Sequence, residues 1–269
     1  MAILHPIMFR SLWAYRGFIL ANVQREFQQR YTHSLLGGLW AILNPLTMII
    51  IYTVVFAGIM RPTLPGQENN PFAYSIYLCA GLLPWAAFAD LVGRMQGVFP
   101  QYGNLLKKTS FPRSCLPIIV ALSTLIDFLI IFSLFLLFLW SSGHFPGSVI
   151  FAFIPVFLIQ WLFGLGLGLL TATLNVFFRD VGQFVGVLLQ FWFWLTPIVY
   201  SATGLPATVQ SWLWLNPLYP LIKAYQDLFL RHLIPDWSSL IGITGLAVLL
   251  LGLAGRLFLK LAGELVDEL

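Results

Sequence analysis

Four histidines and two cysteines are the nitrogen and sulfur ligands this chain offers, and their spacing supports neither a metal site nor a nucleophile. His5, His33, His144 and His232 are scattered, while Cys79 and Cys115 fall toward opposite ends of adjacent apolar segments, as two buried thiols would. No GxxxxGK[ST] phosphate loop, HExxH zinc helix or GxSxG nucleophile turn occurs, so the hydrolytic chemistries built on them are not expected. Asp127 is the one carboxylate well inside an apolar segment, with Asp90 near the end of another. Ion-driven carriers gather several such groups at mid-membrane; pairing of Asp127 with a polar neighbour or a basic loop residue is the simpler expectation. Gly164, Gly166 and Gly168 lie inside an apolar stretch, where Gly164 and Gly168 form a small-residue face for close helix packing rather than a phosphate cradle. If the chain moves a solute uphill, another chain must supply the energy.

Aromatic residues are the second chemical resource, at 16% of the chain. Met48, Tyr52 and Phe56 recur every four residues on one helical face, and Phe191, Trp192, Phe193 and Trp194 stand together further on. Sugar rings offer apolar CH faces that stack on such rings, so an aromatic-lined passage suits a glycan. Helix packing or an interfacial belt explains the same residues, and the pattern alone leaves both readings open.

Positioning these groups falls to membrane helices. Of 269 residues 59% are hydrophobic and only 9% charged, with a mean hydropathy of +0.87. That polar surface is too small for a water-soluble core of this size, which excludes a nucleic-acid binder, a disordered linker and an ordinary cytosolic enzyme. No nucleic-acid partner is therefore expected. Charged residues divide the chain into six apolar segments of membrane-spanning scale, at 35–60, 71–92, 116–140, 148–178, 181–200 and 237–259. Residues 1–34 precede them; Phe9, Trp13, Leu20, Val23, Phe27 and Tyr31 share one face of an interfacial helix, either a simple anchor or a platform for a cytoplasmic partner. Arg16 intrudes on that face and is expected to snorkel or to mark a kink. The first nine residues lack the features of a removable signal peptide.

The stretch 201–236 carries Pro206, Pro217, Pro220 and Pro235, too many for one straight helix. It reads either as two extra spans or as a re-entrant pair of short helices. Lys223, Asp227 and Arg231, recurring every four residues, favour the re-entrant form with an amphipathic surface segment. With six spans, eleven of the fourteen basic residues fall on the side of the termini and the 93–115 loop, leaving Arg61, Lys223 and Arg231 opposite. That imbalance places both termini in the cytoplasm.

Five segments then acquire a common meaning. LLGGLWAILNPL (Leu35 to Leu46), YSIYLCAGLLPW (Tyr74 to Trp85), NVFFRDV (Asn175 to Val181), LTPIVY (Leu195 to Tyr200) and LNPLYPLIKAY (Leu215 to Tyr225) resemble, in order and spacing, the permease subunit of ABC transporters that export lipid-linked polysaccharide, O-antigen above all, with capsule and teichoic acid exporters related. The resemblance implies an all-α membrane protein: six spans, an N-terminal interface helix (1–34), a cytoplasmic coupling loop (93–115) and periplasmic re-entrant helices (201–236), in one permease domain over 1–269. It implies a homodimer in the bacterial inner membrane, working with two copies of a separate ATPase. That subunit holds Mg-ATP, leaving this chain without catalytic residue, cofactor or metal. The first and fifth spans would line the path of a polymer on an undecaprenyl-type lipid, with Trp40, Met48, Tyr52, Phe56, Phe191 and Trp194 along it. The helix between the second and third spans, within Gly97 to Arg113, would dock on the ATPase through Phe99, Tyr102, Leu105, Leu106, Lys107 and Lys108. The alternatives are an ABC permease for a drug or small lipid, an integral-membrane glycosyltransferase working on lipid-linked sugars, and a membrane scaffold.

Overall fold

A computed structural model describes residues 13–31, 36–55, 64, 67, 70–108 and 111–266; the side chains of residues 30, 31, 104, 105, 108 and 266 are outside that description. The described residues are 83% helical, with no strand. In chain order the helices are α1 (Arg16–Tyr31), α2 (Trp40–Tyr52, entered through a 3-10 turn Gly37–Leu39), α3 (Ala73–Gln96), α4 (Val98–Gln101), α5 (Gly103–Lys108), α6 (Cys115–Ser141), α7 (Phe153–Phe177, entered through Gly147–Ala152), α8 (Asp180–Leu195), α9 (Ala207–Trp212), α10 (Tyr219–Arg231) and α11 (Trp237–Leu261). Five helical stretches are long and apolar enough to cross a membrane: Gly37–Val55, Ala73–Gln96, Cys115–Ser141, Gly147–Phe177 and Trp237–Leu261.

The segment expected as a span at 181–200 is a shorter helix followed by a bend. Thr196 precedes Pro197, is extended (φ −106°, ψ 129°), and stops α8 at Leu195. Sixteen residues rise about 24 Å, less than a hydrocarbon core of roughly 30 Å, and the LTPIVY segment continues from there as bends.

Close packing around α7 organises the bundle. A Cβ on Gly164 would lie 2.9 Å from Leu91 and one on Gly168 2.9 Å from Met95, both on α3; one on Gly166 would lie 2.7 Å from the backbone nitrogen of Leu251 on α11. The expected small-residue face on Gly164 and Gly168 thus seats α3, and Gly166 seats α11 on the other side. Gln160 donates to the Pro84 carbonyl at 2.6 Å, joining α7 to α3 by a buried hydrogen bond. Phe88 stacks on Phe163 at 5.6 Å between the same two helices. Cys79 and Cys115 are buried and free.

α10 departs from the expected surface segment. Ten of its thirteen residues are buried, among them Leu221, Ile222, Tyr225 and Leu228, and it packs against α3, α7 and α11. Lys223, Asp227 and Arg231 form the stripe that escapes burial. The helix is strongly amphipathic, as the spacing predicts, but its apolar face is sunk into protein. α1 splits its expected stripe likewise: Ile19 and Val23 are buried while Trp13 and Leu20 are exposed, and α1 packs on α6. Arg16 lies outside the packed face, directly after a turn at Tyr15 that interrupts the helical run and from which α1 starts; it is exposed, donates to the Trp13 carbonyl at 3.1 Å and lies 5.2 Å from the Trp13 ring centroid.

Candidate functional site: a charged hub and an aromatic face

Where α3 runs into α4, one guanidinium joins three helices, and a fourth element attaches through its glutamate partner. Arg94 Nη2 donates to Glu26 Oε2 on α1 at 2.7 Å. Its Nη1 faces Asp90 Oδ2 one turn back on α3 at 3.3 Å, Asp127 Oδ2 on α6 at 3.2 Å and Thr124 Oγ1 at 3.3 Å. The other Glu26 oxygen accepts from the Tyr102 hydroxyl, which follows α4, at 2.9 Å. Only arginine offers several donors in a fixed planar fork, so a lysine here could not serve these partners at once. Glu26, Arg94 and Asp127 expose 17%, 23% and 20% of their side chains, so solvent screens the hub only in part. Burial, together with the hydrogen bond to Glu26 and the nearness of its carboxylate, pushes the Tyr102 phenol up to about 12, which keeps it protonated as a donor throughout the physiological range.

Asp127 is therefore paired, as the simpler reading expects, and Arg94 is its partner. The i, i+4 spacing of Asp90 and Arg94 was a visible signal; nothing in the sequence pointed to Glu26. Beside the hub lies an open polar cleft of about 370 Å³ lined by Glu26, Gln29, Arg94, Gln101, Tyr102 and Val120.

The residues expected to meet an ATPase divide. Phe99 is fully buried, stacked on Phe258 of α11 at 5.6 Å, and Leu106 is buried as well. Both anchor the α4–α5 segment to the bundle. Tyr102 is half-buried on Glu26, and Lys107 is exposed. The side chains of Leu105 and Lys108 lie outside the described residues.

α8 presents the second feature. Phe191 and Trp194 are 66% and 63% exposed. With Trp85, Ala89, Leu189, Gln190 and Phe193 they line an open groove of about 500 Å³ between α8 and α3. Trp192 points the other way: its ring meets Trp85, Phe88 and Phe163 edge-on, and its Nε1 donates to Asn216 Oδ1 at 2.7 Å. Asn216 also donates to Thr196 Oγ1 at 2.8 Å and its Oδ1 accepts from the Leu218 amide. One asparagine thus ties the end of α8 to the approach of α10. Nearby, Tyr77 donates to the Tyr200 carbonyl at 2.9 Å and Gln226 to the Pro197 carbonyl at 3.0 Å. The LTPIVY and LNPLYPLIKAY segments therefore hold each other in place.

NVFFRDV also serves the architecture, because Asn175 donates to the Gln96 carbonyl at 3.0 Å and accepts from the Gly182 amide at 2.9 Å, clamping the end of α3 to the start of α8. On the first span Trp40 and Met48 are exposed and Tyr52 is half-buried, while Phe56 lies outside the described residues. Ile49 is the one buried residue of α2. α2 packs on α6 and α3, whereas α8 packs on α7 and α3. Among the described residues there is no grouping of His, Cys, Asp and Glu able to hold a metal ion.

A multi-pass helical bundle, glycine-seated and with one sparsely covered span, defines the class as an integral membrane protein. Residues 18–230 match the ABC-2 type transporter family, and the chain belongs to it. It is 34% identical over 264 residues to the O-antigen export system permease protein RfbA of Myxococcus xanthus, covering 97% of this chain and 99% of that one. It is 32% identical to the Klebsiella pneumoniae protein of the same name over 88% of this chain and 89% of that one. More distantly, it is 25% identical to the polysialic acid transport protein KpsM of Escherichia coli, over 86% and 88% of the two chains.

Proposed function

We propose that this chain is the permease subunit of an ATP-driven exporter that carries undecaprenyl-linked polysaccharide, O-antigen foremost, from cytoplasm to periplasm through a homodimeric channel. It does no chemistry of its own: two copies of a separate ATPase subunit bind Mg-ATP and supply the work. The observation that carries the reading is the division of labour along α8. Trp192 is locked into the bundle, while Phe191 and Trp194, on the same helix, turn outward onto an open groove. Near full-length similarity to O-antigen permeases supports the glycan as cargo.

In this reading six spans cross the bacterial inner membrane with both termini cytoplasmic. The fifth comprises α8 with its LTPIVY extension, and 201–236 is a periplasmic re-entrant hairpin. A second copy supplies the wall that faces α2 and α8, covering a first span that its own chain leaves almost bare. The 93–115 loop carries the ATPase-docking helix, anchored through Phe99 and Leu106 and presenting Lys107. Trp40, Met48, Tyr52, Phe56, Phe191 and Trp194 line the polymer's path.

The test compares variants at matched permease levels by immunoblotting surface polysaccharide. A ring contact of about 0.5–1.5 kcal/mol guides a sliding polymer without trapping it, so Trp194→Ala and Tyr52→Ala are expected to cut export severalfold. Trp192→Ala instead lowers the amount of folded permease, because it removes the Asn216 hydrogen bond. Wild-type export by both Trp194→Ala and Tyr52→Ala would place the path on another face.

A further inference from the structure

A second polar recess opens on the 201–236 segment and shares no lining residue with the hub cleft or the α8 groove. It has a volume of about 330 Å³, at the lower end of small-molecule sites, which run roughly 300–1,000 Å³. One wall is aromatic: the half-exposed Trp214 meets Tyr219 edge-on with ring centroids 5.1 Å apart. Lys223 Nζ stands 5.4 Å from the Trp214 centroid. The opposite charges come from Asp227 and Arg231, paired at 3.1 Å, and Gln210, Ser201 and Thr203 add polar groups to the lining.

We infer that this recess binds a saccharide unit of the exported glycan as it emerges, an inference that rests on the glycan-export reading. The chemistry selects the ligand class. A phosphate or diphosphate would meet the Asp227 carboxylate, and Arg231 is already committed to that carboxylate, which leaves Lys223 to hold the anion among the described residues of the lining; dedicated phosphate sites gather several donors of one sign. A lipid tail would have to cover three charged side chains, a large desolvation cost. A sugar hydroxyl both donates and accepts, so it bonds equally to Asp227, Arg231, Lys223 and Gln210. The sugar's CH face covers the Trp214–Tyr219 corner. The recess holds each emerging unit weakly as the polymer passes.

The experiment is saturation-transfer NMR on full-length permease in nanodiscs, without ATPase. The probe is polysaccharide released by mild acid from the strain that encodes the chain. Ring protons of the glycan are expected to receive saturation, and Trp214→Ala is expected to weaken binding about tenfold. Asp227→Asn, which keeps shape and removes charge, is expected to weaken it severalfold. Trp212→Ala, 73% exposed and outside the recess, leaves binding unchanged, and millimolar inorganic phosphate does not compete. Unaltered binding in both recess variants, absence of binding to the wild type, or displacement by phosphate would overturn the assignment. A strain deleted for the chain separates the two claims: lost surface polysaccharide leaves the export reading standing whatever the NMR shows, and retained polysaccharide fails that reading instead.

Discussion

Arg94→Ala is expected to release α1 from the bundle and to produce a large loss of folded permease. The substitution leaves Glu26, Asp90 and Asp127 facing one another without their shared counter-ion, and Tyr102 bonded to a glutamate that is itself no longer held. Removing one partner of a fully buried pair costs about 3–5 kcal/mol; with a fifth or so of these side chains exposed, about 2–4 kcal/mol is expected here. Arg94→Lys should fall between, since a point charge cannot serve both faces of the hub. The effect nearly vanishes at Asp90. It is the most exposed carboxylate of the hub, at 45%, and sits 3.3 Å from the guanidinium; with three acids around Arg94 among the described residues, Asp90→Asn removes repulsion along with attraction and should leave stability within about 0.5 kcal/mol of wild type. Thermal unfolding in detergent, with amide hydrogen exchange across α1, distinguishes these variants. Wild-type stability and undiminished α1 protection in Arg94→Ala would show that the hub contributes nothing.

The glycine face of α7 sets the second large effect. A methyl at Gly166 would lie 2.7 Å from the Leu251 nitrogen and 3.1 Å from the Leu250 carbonyl carbon, so two helix backbones must separate. Gly166→Ala is expected to cost about 1–3 kcal/mol, and Gly166→Leu to prevent α7 and α11 from docking, giving aggregated or degraded protein. Gly164→Ala presses on the Cδ2 end of Leu91, which yields more readily than backbone, and should cost less, whereas Gly168→Ala meets Met95 Cβ at 2.9 Å, an atom that moves only with the backbone of α3, and should cost nearly as much as Gly166→Ala. Gly186→Ala, with nothing within 4 Å of the added carbon, should behave as wild type. Equal expression and equal thermal stability of Gly166→Leu and Gly186→Ala would contradict this order.

How far the sequence reaches depends on the range of the interaction read. The long spans were legible because about 20 apolar residues between charges is a local pattern, and the glycine face because small residues four apart have few other uses in a membrane helix. The end of α8 was less so. Hydropathy runs smoothly through LTPIVY, and only the steric effect of Pro197 on Thr196 marks the break. The charge stripe of α10 was correctly seen as one face of a helix, but periodicity says which residues share a face, not whether the opposite face meets lipid, water or protein; Leu221 and Tyr225 meet protein. The hub shows the limit most clearly. Asp90 and Arg94 are one turn apart, Asp127 is 33 residues beyond Arg94 and Glu26 is 68 before it, and no single-sequence signal spans those gaps. Phe99 illustrates the same limit, since an aromatic in a loop resembles a docking residue until its partner, Phe258, is found on α11.

The central claim is that this chain forms the path by which a lipid-linked polysaccharide leaves the cytoplasm. Its most direct measurement deletes the chain from the strain that encodes it, restores it from a plasmid, and quantifies both surface polysaccharide and the intracellular lipid-linked pool. The account predicts that deletion abolishes surface polymer while lipid-linked chains accumulate inside, and that the intact gene reverses both. Normal surface polymer in the deletion strain, with no internal accumulation, would contradict it.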